Sequence, residues 1–190
     1  AASDVYKRQV LLSCDLLTAT VIRRARDLGT GLEFADAAMR TALAAGDAAD
    51  LPLDVVFQMR EPWWRYHLCR WRNASDQVLA DLAARLIDRR LLKTVRICDG
   101  EDAAALTESA RRAVIDCGFD PAYYLGEVST EDVHAGDSEQ SLPVLMDQGL
   151  LLPLDRSAPI FRAMVGESKA YSRRWLVMPE QAKLRLGRKR

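Results

Sequence analysis

Across the stretch Gln77–Ile97, QVLADLAARLIDRRLLKTVRI, the hydrophobic period changes from one that suits a helix to one that suits a strand. Val78, Leu82 and Leu86 recur four apart, with Leu79, Ala83 and Ile87 beside them, so one broad helical face is apolar. Asp81, Arg85 and Asp88 fall on the other side, and Asp81 precedes Arg85 by one turn, the spacing of a helical ion pair. After Asp88 the residues alternate. Arg89, Leu91, Lys93, Val95 and Ile97 share one side of an extended segment, and Arg90, Leu92, Thr94 and Arg96 the other. Everything ahead of this junction reads as helix, and everything after it as short strands with two helices.

The 190 residues, 49% of them hydrophobic, suffice to bury a core as one domain or two small ones. The 27 basic and 27 acidic residues cancel, so no global charge attracts nucleic acid or an anionic membrane; phosphate binding would need a local cluster. No window approaches a membrane span, and no signal peptide is visible. Cys14, Cys69, Cys98 and Cys117 are scattered without CxxC pairs or a nearby His, which predicts reduced thiols in a cytoplasmic protein.

The opening AASDVYKRQ begins without Met and reads as a leader foreign to the rest, so the chain is expected to be the C-terminal remainder of a longer protein. Val10–Leu28 is a helix with the seam Val10, Cys14, Leu17, Val21, Ala25 and Leu28, and Arg23, Arg24 and Arg26 crowd its end, where cations suit the helix dipole. Helices follow at about Phe34–Ala45 and Leu53–Gln58, and a third starts at Pro62 with the aromatic series Trp63, Trp64, Tyr66, His67 and Trp71. The helical spacing of these aromatics predicts core packing rather than base stacking, with His67 satisfied among them. Ser75 or Asn73 is expected to cap the next helix.

Beyond the junction, Asp102–Cys117 reads as a helix with Gly118 as its stop, and Tyr123–Val128 as a strand. Ser129–Gln140, which holds His134, reads as a polar loop; Leu142–Met146 and Leu150–Leu154 read as a hairpin. A helix from Ser157 to Val165, a strand Tyr171–Met178 and a frayed basic tail complete the chain. The expected division is a leader over 1–9, a helical region over 10–88, an α+β region over 89–178 and a basic tail over 179–190. The fold class is α+β, a helical half followed by a small, mainly antiparallel sheet with helices on one face.

Motifs for chemistry are scarce. The GTG at Gly29–Gly31 lacks the further glycine and preceding strand of a phosphate loop, no Ser or Cys sits in a nucleophile elbow, and no His and Asp cluster to hold a metal. What remains is Arg89, Leu91 and Lys93. Side chains two apart on a strand stand roughly 7 Å apart on one face, so two cations flanking an apolar surface suit a triphosphate and part of a nucleoside. The competing reading has Arg89 closing the helix and Lys93 lying along a sheet edge.

The series WWRYHLCRW followed by VLADLAARLIDRRLLKTV resembles the region downstream of the catalytic domain in HD-superfamily phosphohydrolases, a group that includes deoxynucleoside triphosphate triphosphohydrolases. Those proteins show a helix ending in Trp, a helix with paired leucines, and an Arg-x-Leu-[Phe or Leu]-Lys run entering a strand, here Arg89-Arg90-Leu91-Leu92-Lys93. Residues 10–28 also resemble the family's following helix, often introduced by a Tyr, then His-Lys, and rich in basic residues at its end. Where the family carries an acidic pair before the Trp, this chain has Arg60-Glu61, and where it has Tyr followed by His-Lys, this chain has Tyr6-Lys7-Arg8-Gln9. The resemblance implies an intact parent whose HD residues, absent from this chain, bind a divalent metal that activates water toward (deoxy)nucleoside triphosphates. It implies that Arg89 and Lys93 grip the phosphates of an effector nucleotide at a subunit boundary, that Leu91 packs beside it, and that Tyr6 matches a substrate-sugar contact. This chain alone would be inactive, a regulatory and oligomerising part of a homo-oligomer. Two other classes compete with this expectation: a stand-alone α+β small-molecule sensor, and a purely structural oligomerisation piece.

Overall fold

The structure, a computed structural model, describes residues 2–98, 102–131, 143–146, 149–153 and 172–187, with the side chains of residues 2–9, 130, 131, 143, 153, 172 and 173 outside that description. It is an α+β fold. Five helices, α1 (Ala2–Leu28), α2 (Ala37–Ala44), α3 (Leu53–Gln58), α4 (Glu61–Trp71) and α5 (Gln77–Ile87), precede the first strand, β1 (Lys93–Ile97). Then come α6 (Ala103–Asp116), α7 (Pro121–Tyr124), β2 (Gly126–Glu131), β3 (Pro143–Leu145), β4 (Leu151–Pro153), β5 (Ser172–Met178) and α8 (Glu180–Arg185).

The chain divides into two compact units, residues 1–128 with 175–190, and residues 129–174. In the first, α5 packs between α1 and α4, and their apolar stripes meet in one core: Leu17, Val21 and Ala25 of α1, Leu68 and Trp71 of α4, and Leu79, Leu82 and Ala83 of α5. Each fully buried leucine of this kind contributes about 1.5–3 kcal/mol. The same core continues through Val95 and Ile97 of β1, Leu106, Ala110 and Val114 of α6, and Leu176, Val177 and Met178 of β5. The sheet order is β1-β5-β2, and four successive buried residues, Trp175–Met178, mark β5 as its covered central strand. In the second unit β3 and β4 pair antiparallel, Pro143 with Pro153, Val144 with Leu152 and Leu145 with Leu151, as the hairpin pattern predicts.

Several local expectations are corrected. Helix α1 starts at Ala2, within the expected leader, because no Pro or Gly interrupts the helix-compatible residues ahead of Val10. Helix α2 starts later than Phe34, because Asp36 caps it by accepting the Met39 N–H at 2.8 Å. The cap of α5 is Asp76, which accepts the Leu79 N–H at 2.7 Å, rather than Ser75 or Asn73. Tyr123 and Tyr124 lie on α7, not on a strand, since Asp120 caps a turn opened by Pro121. The tail is not frayed over Glu180–Arg185: Ala182 is fully buried, Lys183 Nζ donates to the Thr94 carbonyl at 3.1 Å and Arg185 to that of Asp116 at 2.9 Å. The helix expected at Ser157–Val165 and the loop residues around His134 lie outside the described residues.

Candidate functional site

The candidate site is built at the turn from α5 into β1. The Asp76 cap that starts α5 is also gripped by Arg24 of α1 through two hydrogen bonds, 3.0 and 2.6 Å, and that guanidinium holds the Asp76 carboxyl below the usual carboxylate range. Arg24 also donates to the Tyr123 hydroxyl at 3.0 Å and lies 4.9 Å from the centroid of its ring. The start of α5 is thereby tied to α1 and α7.

In the last turn of α5, Arg85 donates to Asp81 at 2.6 Å, as the four-residue spacing predicts. The pair does not face solvent. Arg85 is only 7% exposed, with its guanidinium 5.3 Å from the Phe119 ring centroid and 5.6 Å from that of Tyr124. The Tyr124 hydroxyl donates to the same Asp81 oxygen at 2.7 Å. Burial, and then this bond to a carboxylate, push the phenol well above its usual range. Sequence reasoning saw the Asp81–Arg85 spacing but had no signal for the aromatic lid from α6–α7.

The helix then closes in a turn that uses two reverse bonds. The Arg90 N–H donates to the Arg85 carbonyl at 2.9 Å and the Arg89 N–H to that of Leu86 at 3.4 Å. This geometry needs a left-handed residue, and Arg89 supplies it at φ 54°, the only positive φ at a non-glycine among the described residues. Helix α6 ends in the same way, with Phe119 bonded to Val114 and Gly118 to Ile115, but there the left-handed residue is Gly118 at φ 80°. Arg89 is therefore at a helix end and not on an extended strand, so the two-residue alternation does not place it over Leu91. The strand periodicity begins at Lys93, which is half-buried on the side of Val95 and Ile97.

Around this corner, Asp88 receives both Arg72 Nη atoms, at 3.0 and 3.2 Å, and has Arg90 Nε at 3.8 Å. The buried Ser13 hydroxyl of α1 donates to the Leu92 carbonyl at 2.8 Å, which fixes the segment against the core. The Cys14 thiol lies near enough to Arg89 to feel its charge, although burial keeps that thiol above its ordinary pKa. No carboxylate among the described residues pairs with Arg89 or Lys93. At this corner Arg89 is exposed at the helix end, while Leu91 and Lys93, on the segment leading into β1, are half-buried. Tyr6 lies on α1, and its side chain is outside the described ones.

His67 is not part of this site. It is fully buried among Phe34, Trp63, Tyr66 and Trp71, its Nδ1 donates to the Trp63 carbonyl at 2.9 Å, and its Nε2 accepts the Asp36 N–H at 3.4 Å. Both ring nitrogens are occupied, as expected of a core histidine. Among the described residues no three His, Cys, Asp or Glu converge to hold a metal. The described residues do not gather a set that fits the divalent metal that the resemblance implies, and no chemical step is assigned to them. An apolar cleft of about 200 Å³ is lined by Met59, Trp63 and Trp64 together with Ile22, Met39 and Leu51.

The fold is similar to that of part of a solved structure. Over 91% of its length the chain is similar to a crystal structure described as a phosphohydrolase from Bacteroides thetaiotaomicron VPI-5482, with a TM-score of 0.69 and 18% identity, and it covers 45% of that chain. Among curated proteins, the uncharacterized protein YwfO of Bacillus subtilis (strain 168) is 26% identical over 174 residues, 87% of this chain and 40% of the relative. This chain spans less than half the length of either protein. No protein-family profile matches the sequence. Among the described residues no helix is long and apolar enough to cross a membrane.

Proposed function

We propose that this chain is the C-terminal regulatory and oligomerisation portion of an HD-type phosphohydrolase that acts on (deoxy)nucleoside triphosphates in the cytoplasm. The catalytic residues and their divalent metal belong to a part of the parent outside this chain, and the chain alone is inactive. Arg89 and Lys93 grip the phosphates of an effector nucleotide, and Leu91 packs beside its sugar or base. The observation that carries this reading is the corner itself. Arg89 occupies a left-handed position that glycine fills at the end of α6, and presents an exposed guanidinium with no carboxylate partner among the described residues. Backbone held in so sparse a region is a reason to look for a role in binding. The fold shared with a solved phosphohydrolase, of which this chain covers 45%, supports the assignment to part of a larger hydrolase.

Calorimetric titration of the chain with dGTP and dATP, wild type against Arg89→Ala and Lys93→Ala, tests the reading. Truncating one member of a charge-assisted phosphate contact weakens binding by about 1.5–3 kcal/mol, or roughly tenfold to a hundredfold. Unchanged affinity in both variants would remove the effector role. The hydrolase reading is tested separately, by assaying the longer parent protein for triphosphate or phosphate release with and without a divalent metal.

A further inference from the structure

Helix α3 turns its apolar side outward. Val55 is buried, but Leu53 is 73% exposed, Phe57 68%, Val56 43% and Met59, just past the helix, 42%. Leu53, Val56 and Phe57 stand at positions i, i+3 and i+4, so they form one face rather than scattered exceptions. Met59 also borders the apolar cleft of Trp63 and Trp64, which extends the patch. Charges around it are ordered by sign along the helix axis. Asp50 and Asp54 are exposed at its start, and Arg60, joined by Arg65 against Glu61, is exposed at its end. None of these five is in an ion pair among the described residues.

We propose that this face binds a second copy of the chain about a two-fold axis through Phe57. A surface acidic at one end and basic at the other is complementary to itself when turned through half a rotation, the condition for a closed symmetric dimer. Two α3 helices laid antiparallel bring Phe57 against Phe57, with Leu53 and Val56 beside them, and set Asp54 of each copy near Arg60 of the other. The apolar centre excludes water, and the charged rim fixes the direction. The inference rests on the oligomerisation half of the reading above and is independent of its nucleotide half.

Sedimentation of the 190-residue chain tests it. Wild type is expected to dimerise. Phe57→Asp is expected to weaken self-association by about thirtyfold or more, as loss of a central aromatic anchor does. Asp54→Arg and Arg60→Asp are each expected to weaken it, because each sets two like charges across both contacts. An equimolar mixture of these two single variants is expected to recover the dimer, since every contact in the mixed pair is again between opposite charges. Retention of the wild-type far-ultraviolet circular dichroism spectrum establishes that each variant is folded. A chain that stays monomeric into the hundred-micromolar range, a dimer indifferent to Phe57→Asp, or single variants that do not recover on mixing would each overturn the proposal. The dGTP and dATP titrations of the wild-type chain keep the two failures apart. A wild-type chain that stays monomeric yet binds nucleotide sinks only this inference, and a wild-type dimer that binds no nucleotide sinks only the effector reading.

Discussion

Replacing Arg89 by glycine should make the protein more stable while removing the nucleotide response proposed above. A side chain at φ 54° sets Cβ too close to the following carbonyl, at a cost of about 1–2 kcal/mol that glycine does not bear. Glycine gives back part of that gain through the greater entropy of the unfolded chain, about 0.5–1 kcal/mol. The arginine charge also favours the helix end, so the fair comparison is Arg89→Gly with Arg89→Ala, both of which lack it. Alanine keeps the backbone strain; glycine relieves it. The net difference is about 0.5–1 kcal/mol, and for a chain of this size it separates the two melting temperatures by roughly 1–4 °C, glycine above alanine. Thermal denaturation followed by circular dichroism, with and without dATP, reads both effects. Arg89→Gly melting at or below Arg89→Ala would refute the strain argument. A full dATP-induced rise in either variant would refute the phosphate grip.

Two further predictions concern the packing that holds this corner. Tyr124→Phe removes the hydroxyl bond to Asp81 and should cost about 1 kcal/mol at neutral pH. Because the folded state raises the Tyr124 pKa above its unfolded value near 10.0, wild type keeps this contribution below pH 10 and loses it as pH rises further. The gap between the two proteins in urea denaturation should therefore narrow above pH 10, and a gap that widens there would refute the assignment. At Gly126, an added Cβ would lie 2.6 and 2.8 Å from the two Leu16 methyl carbons, so Gly126→Ala should destabilise by about 1–3 kcal/mol. In the double variant with Leu16→Ala that specific penalty should disappear, and strictly additive losses would show that the close approach is not its cause.

The α5–β1 junction was legible in the sequence because it depends on local periodicity. The apolar stripe, the Asp81–Arg85 pair and the change to alternation at Lys93 are all seen in the structure. What the sequence hid comes from segments far along the chain. Arg85 looks solvent-facing until Phe119 and Tyr124 cover it, and no spacing within α5 encodes that cover. Arg89 looked extended because residue alternation cannot distinguish a left-handed corner from a strand start when the corner is not glycine. Had glycine stood there, as at Gly118, the stop would have been readable. The basic tail concealed its helix for a related reason: Lys183 and Arg185 suggest solvent, but buried Ala182 between Pro179 and Leu186 decides the packing. Likewise α3 was placed correctly, but which of its faces looks inward is decided by Val55, and no sequence period announces that choice.

The sheet order has a consequence for how this architecture can change length. The chain leaves the first unit along β2 and comes back to it along β5, and those two strands are neighbours. Residues 129–174 are therefore a detour that starts and finishes at almost the same address. Lengthening such a detour is thermodynamically inexpensive, since closure entropy grows only with the logarithm of loop length. Among the described residues, the core that runs from Leu17 to Ala182 is built from residues outside this detour. Relatives can shorten, extend or exchange this segment while the corner at Arg89 and the exposed face of α3 keep their places.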